Sequence, residues 1–219
     1  MKLLAIDTAL SACSVAIVDG DTVLAARSVV MGRGQAEALM PMVSDAMGAA
    51  GLAFAELDLL AVTIGPGSFT GLRTGIAAAR GLALALGRPL VGVTTLEVLA
   101  RCARADEVGG RTILAVIDAH RGELYAQPFT HDLRPLAPPA AQSPAEVLAA
   151  APPGPLHLIG SGASLAFAIA PGRCTLSSVA PDPDPAILAR LALRHHRAGD
   201  ALAASPLYIR APDAKLPAA

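Results

Sequence analysis

The chain has 219 residues, enough for one large domain or two small ones with a sizeable core. Its 17 basic residues against 18 acidic ones leave a net charge of −1, and aromatic residues make up 3 % with no tryptophan. That balance excludes a general electrostatic footprint for nucleic acid or an anionic membrane, and it excludes a base-stacking platform. Cys13, Cys102 and Cys174 are too few and too far apart for a disulfide framework or a zinc site, which fits a reducing cytosol. The opening MKLLAID reaches Asp7 too soon for a secretory signal. Residues 82–99 come nearest to a membrane span, but Gly87-Arg88-Pro89 breaks them, so a cytoplasmic chain without a membrane segment is expected.

In chain order, residues 2–6 form an apolar run ending at Asp7, a central strand. Residues 13–18 read as a second strand, Gly20-Asp21 as a hairpin turn, and residues 22–30 as a third strand. The DTALSA connection carries Asp7, Thr8 and Ser11. Sugar kinases and actins cradle phosphates with such a hairpin, using a glycine two residues after the aspartate. Here that position is Ala9, so the reading is a vestigial phosphate hairpin whose hydroxyls satisfy their own backbone. Within residues 31–51 a helix is expected, with Pro41 near its first turn or kinking it. Its apolar residues cover most of its circumference, which predicts burial on more than one side. Four of the five methionines, Met31, Met40, Met42 and Met47, sit here, and flexible thioethers suit an adaptable interface.

Residues 61–87, AVTIGPGSFTGLRTGIAAARGLALALG, organise the rest: a buried strand, a Gly65-Pro66-Gly67 turn and a long helix. Ser68 or Thr70 caps the helix, and Gly87 with Pro89 ends it. The turn is not a phosphate loop of the Walker type, since Leu72 stands where the lysine is needed, and Thr70 spoils the third glycine of G-x-G-x-x-G. Gly71, Gly75 and Gly81 inside the helix each cost about 1 kcal/mol relative to alanine. Gly71, Gly75, Ala78 and Ala85 share one side, a flat surface that lets another backbone approach closely.

Residues 90–93 read as a strand and residues 95–104 as a helix. The polar, glycine-bearing residues 106–111 mark a domain boundary, dividing the chain into 1–106 and 107–219. Strands at residues 112–117 and 124–129, with Asp118 and a turn between them, repeat the pattern of the first two strands, which suggests an internal duplication. A short helix after Ser143-Pro144, a strand at 156–159, helices at 163–169 and 186–198, and a tail with an apolar clasp at 207–209 complete the chain. His195 and His196 point about 100° apart on their helix, cannot chelate one metal, and read as solvated residues near its C-terminus.

The stretches LAIDTALSACSVAIV, GPGSFTGLRTGIAAARGLA, GVTTLEVLA, VIDAHRGELYAQ and SPLYIRAPDAKLP resemble the TsaB (YeaZ-like) family of tRNA threonylcarbamoyladenosine biosynthesis, over residues 2–217. The resemblance implies an α/β, actin-like ATPase (ASKHA) fold with two βββαβα-type subdomains. It also implies a non-catalytic subunit without a cofactor. Such proteins pair with the paralogue TsaD, which transfers the threonylcarbamoyl group to the adenosine beside the anticodon, and TsaE joins the pair. Self-pairing without the partner, and contact with tRNA only through the complex, follow as expectations. The catalytic paralogue carries a metal-binding His-x-x-x-His pair in the block that reads Thr95-Leu96-Glu97-Val98-Leu99 here, and leucine cannot donate to a metal. Several relatives carry histidine near the start of the Met-rich helix, where this chain has Gln35.

The partner surface is expected on the two N-terminal helices, at Met40, Val43, Met47, Gly71, Gly75 and Ala78. The rival from another class is a metal-dependent, glycoprotease-like or ATP-dependent enzyme, against which the missing ligand pair and the missing phosphate glycine both argue. An RNA-binding module fails on charge and aromatic content.

Overall fold

The structure is a computed structural model that describes residues 1–210. The end of the tail, and with it the end of the SPLYIRAPDAKLP stretch, lies outside the described residues.

The first half contains β1 (Lys2–Asp7), β2 (Ala12–Asp19), β3 (Thr22–Val30), α1 (Gln35–Ala50), β4 (Leu59–Thr63), α2 (Phe69–Leu86), β5 (Leu90–Val93) and α3 (Thr95–Cys102). A short helix, α4 (Ala105–Val108), leads to the second half. There β6 (Thr112–Asp118), β7 (Leu124–Phe129), β8 (Ala140–Gln142), α5 (Pro144–Ala150), β9 (Leu156–Ile159), α6 (Ala163–Ile169), β10 (Cys174–Leu176) and α7 (Pro185–Ala198) follow in the same order. The first sheet runs β3-β2-β1-β4-β5 and the second β8-β7-β6-β9-β10. In each, the two hairpin pairings are antiparallel and the two crossover pairings parallel. The duplication suspected from one strand–turn–strand repeat therefore extends from β1 to α7.

Strand alternation sorts the core into layers. On β1, Leu4 and Ile6 face α1 and α2, packing with Leu39, Val43, Met47, Leu72 and Ile76. Leu3 and Ala5 face the other way, onto Leu188, Leu191 and Ala192 of α7. On β6, Leu114 and Val116 meet α5 and α6, while Ile113, Ala115 and Ile117 meet Leu96, Leu99 and Ala100 of α3. Helices α3 and α7 thus lie between the two sheets. Residues 106 and 107 fall within α4, which links the two sheets, and the last helix of each half packs on the sheet of the other.

Local chemistry explains the boundaries. Ser68 accepts from Gly71 N, so Ser68 rather than Thr70 caps α2, and Gly87 ends it in the left-handed region at φ 63°. Asp184 accepts from the Ala186 and Ile187 amides and Pro185 occupies the first turn of α7. In α1 the buried residues are Leu39, Val43, Ala46 and Met47, a single stripe. The helix is therefore buried on one side, not on several, because nothing among the described residues covers its outer face. After α7, Leu207 N donates to Ile64 O at 2.7 Å, and Tyr208 stacks on Phe69 with ring centroids 5.7 Å apart. This is the apolar clasp, fastened onto the start of α2.

Candidate functional site

Two features concentrate the unusual chemistry: the β1–β2 turn and the outer face of α1 and α2. Asp7 ends β1 fully buried. Its Oδ1 accepts from Thr63 Oγ1 at 2.5 Å and from Ala9 N at 3.2 Å. Its Oδ2 is buried and has no hydrogen-bond partner among the described residues. Burial pushes the Asp7 carboxyl up to about 7; the Thr63 and Ala9 bonds pull it back, and the nearby Asp182 charge adds to the rise.

The hydroxyls of the turn do not serve their own backbone. Thr8 Oγ1 donates to Gly71 O on α2 at 2.7 Å, and Ser11 Oγ donates to Asp182 at 2.8 Å. Both partners are remote in sequence, which is why a local reading missed them. The turn is tied elsewhere as well. Ser68 N donates to Ala9 O at 2.8 Å and Met31 N to Ser11 O at 2.9 Å. Gln35 Nε2 donates to Leu10 O at 3.1 Å and to Ala12 O at 3.2 Å. Gln35 therefore fixes the turn from the first residue of α1, a role that an amide performs through its two N–H donors.

The small residues of α2 serve this turn. A Cβ on Gly71 would overlap the carbonyl oxygen of Thr8, and one on Gly75 would overlap Thr8 Oγ1. The backbone that approaches the flat side of α2 is thus the chain's own. Gly71, Gly75, Val43 and Met47 are buried within the monomer, so they cannot themselves touch a partner. Ala78 is half-buried. Of the six positions expected at a partner surface, Met40 is the one that stays exposed, at 43 %. On α2 the exposed apolar face is instead Ala77, Gly81, Leu84 and Ala85, with Leu84 86 % exposed. Helical period alone could not tell which side of a helix meets the sheet.

The matching turn of the second half follows Asp118, whose Oδ1 accepts from His120 N at 2.8 Å. Arg210 donates to Ala119 O at 2.9 Å and pairs with Glu123 at 2.7 Å. Between the sheets, Thr95 and Leu99 of α3 are fully buried. Leu99 packs among Ile113, Ile117 and Ile159. His195 is not simply solvated: its Nδ1 lies 2.8 Å from Asp200 and its Nε2 3.0 Å from Glu97. Among the described residues, no three His, Cys, Asp or Glu side chains come together in a way that could hold a metal ion. No helix there is long and apolar enough to cross a membrane.

Two duplicated sheets, each with a strand–turn–strand hairpin whose first strand ends in aspartate and with central helices between them, define an actin-like ATPase fold. The A-component of (R)-2-hydroxyglutaryl-CoA dehydratase from Acidaminococcus fermentans shares that fold, at 9 % identity with a TM-score of 0.53, over 90 % of this chain and 99 % of that one. The structure of YeaZ from Pseudomonas aeruginosa superimposes with a TM-score of 0.79 at 31 % identity, covering 94 % of this chain and 99 % of that one. The family model described as TsaD, tRNA N6-adenosine threonylcarbamoyltransferase, matches residues 29–177. The tRNA threonylcarbamoyladenosine biosynthesis protein TsaB of Escherichia coli is 42 % identical over 132 residues, which are 60 % of this chain but only 56 % of that protein's length. The chain belongs to the TsaB (YeaZ-like) family.

Proposed function

We propose that this chain is a non-catalytic subunit of the complex that adds threonylcarbamoyl to the adenosine beside the anticodon of tRNA. It binds and supports the catalytic paralogue TsaD, together with TsaE, in the cytoplasm, and it meets tRNA only through that complex. The observation that carries this reading is the burial of Thr95 and Leu99 at the positions of the paralogue's metal-binding pair. Neither side chain faces an open site, and leucine offers no donor. The β1–β2 turn supports the same reading, since Ala9, Gln35, Ser68 and Thr8 tie it into the chain's own framework. These features weigh against the rival reading of a metal-dependent or ATP-dependent enzyme.

The partner surface is the outer face of α1 and α2, centred on Met40 and Leu84. Exposed apolar side chains on two neighbouring helices fit a helix-on-helix contact, and the same face pairs two copies of the chain when the partner is absent. The test is Met40→Asp combined with Leu84→Asp. Both sites are exposed, so the variant keeps its circular dichroism melt. It should elute as a monomer from a sizing column and fail to capture TsaD. A folded variant that still captures TsaD refutes the surface. Met47→Asp is unsuited to this test, because it would place a carboxylate in the core and unfold the chain.

A further inference from the structure

The β1–β2 turn gathers three donors on one acceptor that comes from the far end of the chain. The Ser11 and Ala12 amides donate to Asp182 Oδ1 at 2.9 and 3.0 Å. Ser11 Oγ lies 2.8 Å from both oxygens of the same carboxylate. Two successive backbone N–H groups and a hydroxyl aimed at one point make an anion-binding concavity, and a charged acceptor strengthens each bond. The carbonyls of the turn are spoken for on other sides, by Ser68, Gln35 and Met31, and the Ser11 and Ala12 amides are directed at Asp182.

Asp182 is carried by residues 180–184, a segment anchored at both ends. Upstream, Ser178 N donates to Glu107 Oε2 at 3.0 Å. Downstream, Asp184 caps α7, accepting from Ala186 N at 2.7 Å. The matching turn of the second half is held differently: it offers the carbonyl of Ala119 to a cation, Arg210. Among the described residues, the contact of a remote carboxylate with successive turn amides is seen at the first turn.

We propose that the Ser11–Ala12 turn is an anion site which the chain fills with its own Asp182, and that residues 180–184 form a strap closing it to phosphate-class oxyanions. A tethered carboxylate acts at an effective concentration in the millimolar range or above, so it outcompetes a free oxyanion for the same donors. Displacing the strap frees those donors. The inference concerns the isolated chain and stands or falls independently of the partner surface.

The experiment follows the Ser11 and Ala12 amide resonances of the full chain during titration with inorganic phosphate. The wild-type protein should show no saturable shift up to tens of millimolar. Asp182→Ala should show a saturable shift, with an affinity raised at least about tenfold once the tethered competitor is gone. Adding Ser11→Ala to that variant should weaken the binding again. A folded Asp182→Ala protein without a saturable shift at these amides overturns the proposal, as does a wild-type protein that binds phosphate equally well. If Asp182→Ala does not fold, Asp182→Asn decides. It keeps the shape of the side chain and removes the charge, so phosphate-dependent shifts support the strap and their absence overturns it.

Discussion

The three glycines inside α2 look equivalent in sequence, and the structure separates them. Gly81 has nothing within 4 Å of an added Cβ, so Gly81→Ala should simply recover helix propensity. That gain is about 1 kcal/mol, or roughly 2–4 °C in Tm for a chain of this size. Gly71→Ala recovers the same propensity but drives a methyl into the Thr8 carbonyl. The carbonyl cannot retreat freely, because Ala9, Gln35 and Asp182 hold the turn on which it sits. Overpacking of this kind costs about 1–3 kcal/mol, and losing the Thr8–Gly71 hydrogen bond costs about 1 kcal/mol more. Setting the propensity gain against these terms leaves a net loss of about 1–3 kcal/mol, a fall of roughly 2–12 °C in Tm. Gly75→Ala clashes with the Thr8 hydroxyl, while its other neighbours, Ile6 Cγ2 and Thr8 Cβ, lie at ordinary contact distance. Thr8→Ala should therefore relieve Gly75→Ala, yet leave Gly71→Ala destabilised, since the backbone carbonyl remains. Calorimetric melts of the single and double variants measure all of these shifts. A Gly71→Ala protein that melts at or above the wild-type temperature would refute the close approach of the β1–β2 turn to α2.

The other predictions rest on separate features. Asp7 binds its proton more tightly in the folded chain, with its carboxyl raised from 3.8 to about 7, so its stabilising contribution is complete below the lower value and is lost as pH rises through the higher one. The span corresponds to on the order of 4 kcal/mol. Asp7→Asn should equal wild type near the acid end and exceed it in stability at mildly alkaline pH; urea titrations that give a pH-independent difference would contradict this. The isolated protein should turn over no ATP and retain no stoichiometric zinc or iron after chelation, given Ala9, Thr95 and Leu99, and metal analysis checks it. Binding of tRNA by the isolated chain should be weak, because 17 basic residues face 18 acidic ones. Sub-micromolar affinity at physiological salt with a steep salt dependence would overturn that expectation.

Much of the architecture is legible in residue order because it is enforced locally. Alternating and continuous apolar runs place β1 to β7 and β9, and capping chemistry at Ser68, Gly87, Ser143 and Asp184 sets helix ends within a turn. The identity of the family is carried by short contiguous stretches, GPGSFTGLR above all. The loss of a ligand pair at Thr95 and Leu99 is equally a matter of which residue stands where. What a helix does with its two sides is another kind of question. Gly71 and Gly75 were readable as a place for close backbone approach, but only the packed chain supplies the approaching backbone, the Thr8 turn, from 63 residues away. Val43 and Met47 carry the same apolar chemistry as Met40, and only docking on the sheet decides that the first two are core and the third is surface. Asp182 is the extreme case: no local pattern marks a proline-flanked aspartate as the occupant of a turn 171 residues earlier. Periodicity and capping act over a few residues, whereas a hydrogen bond between remote segments exists only once both halves of the duplicated fold have closed on the helices between them.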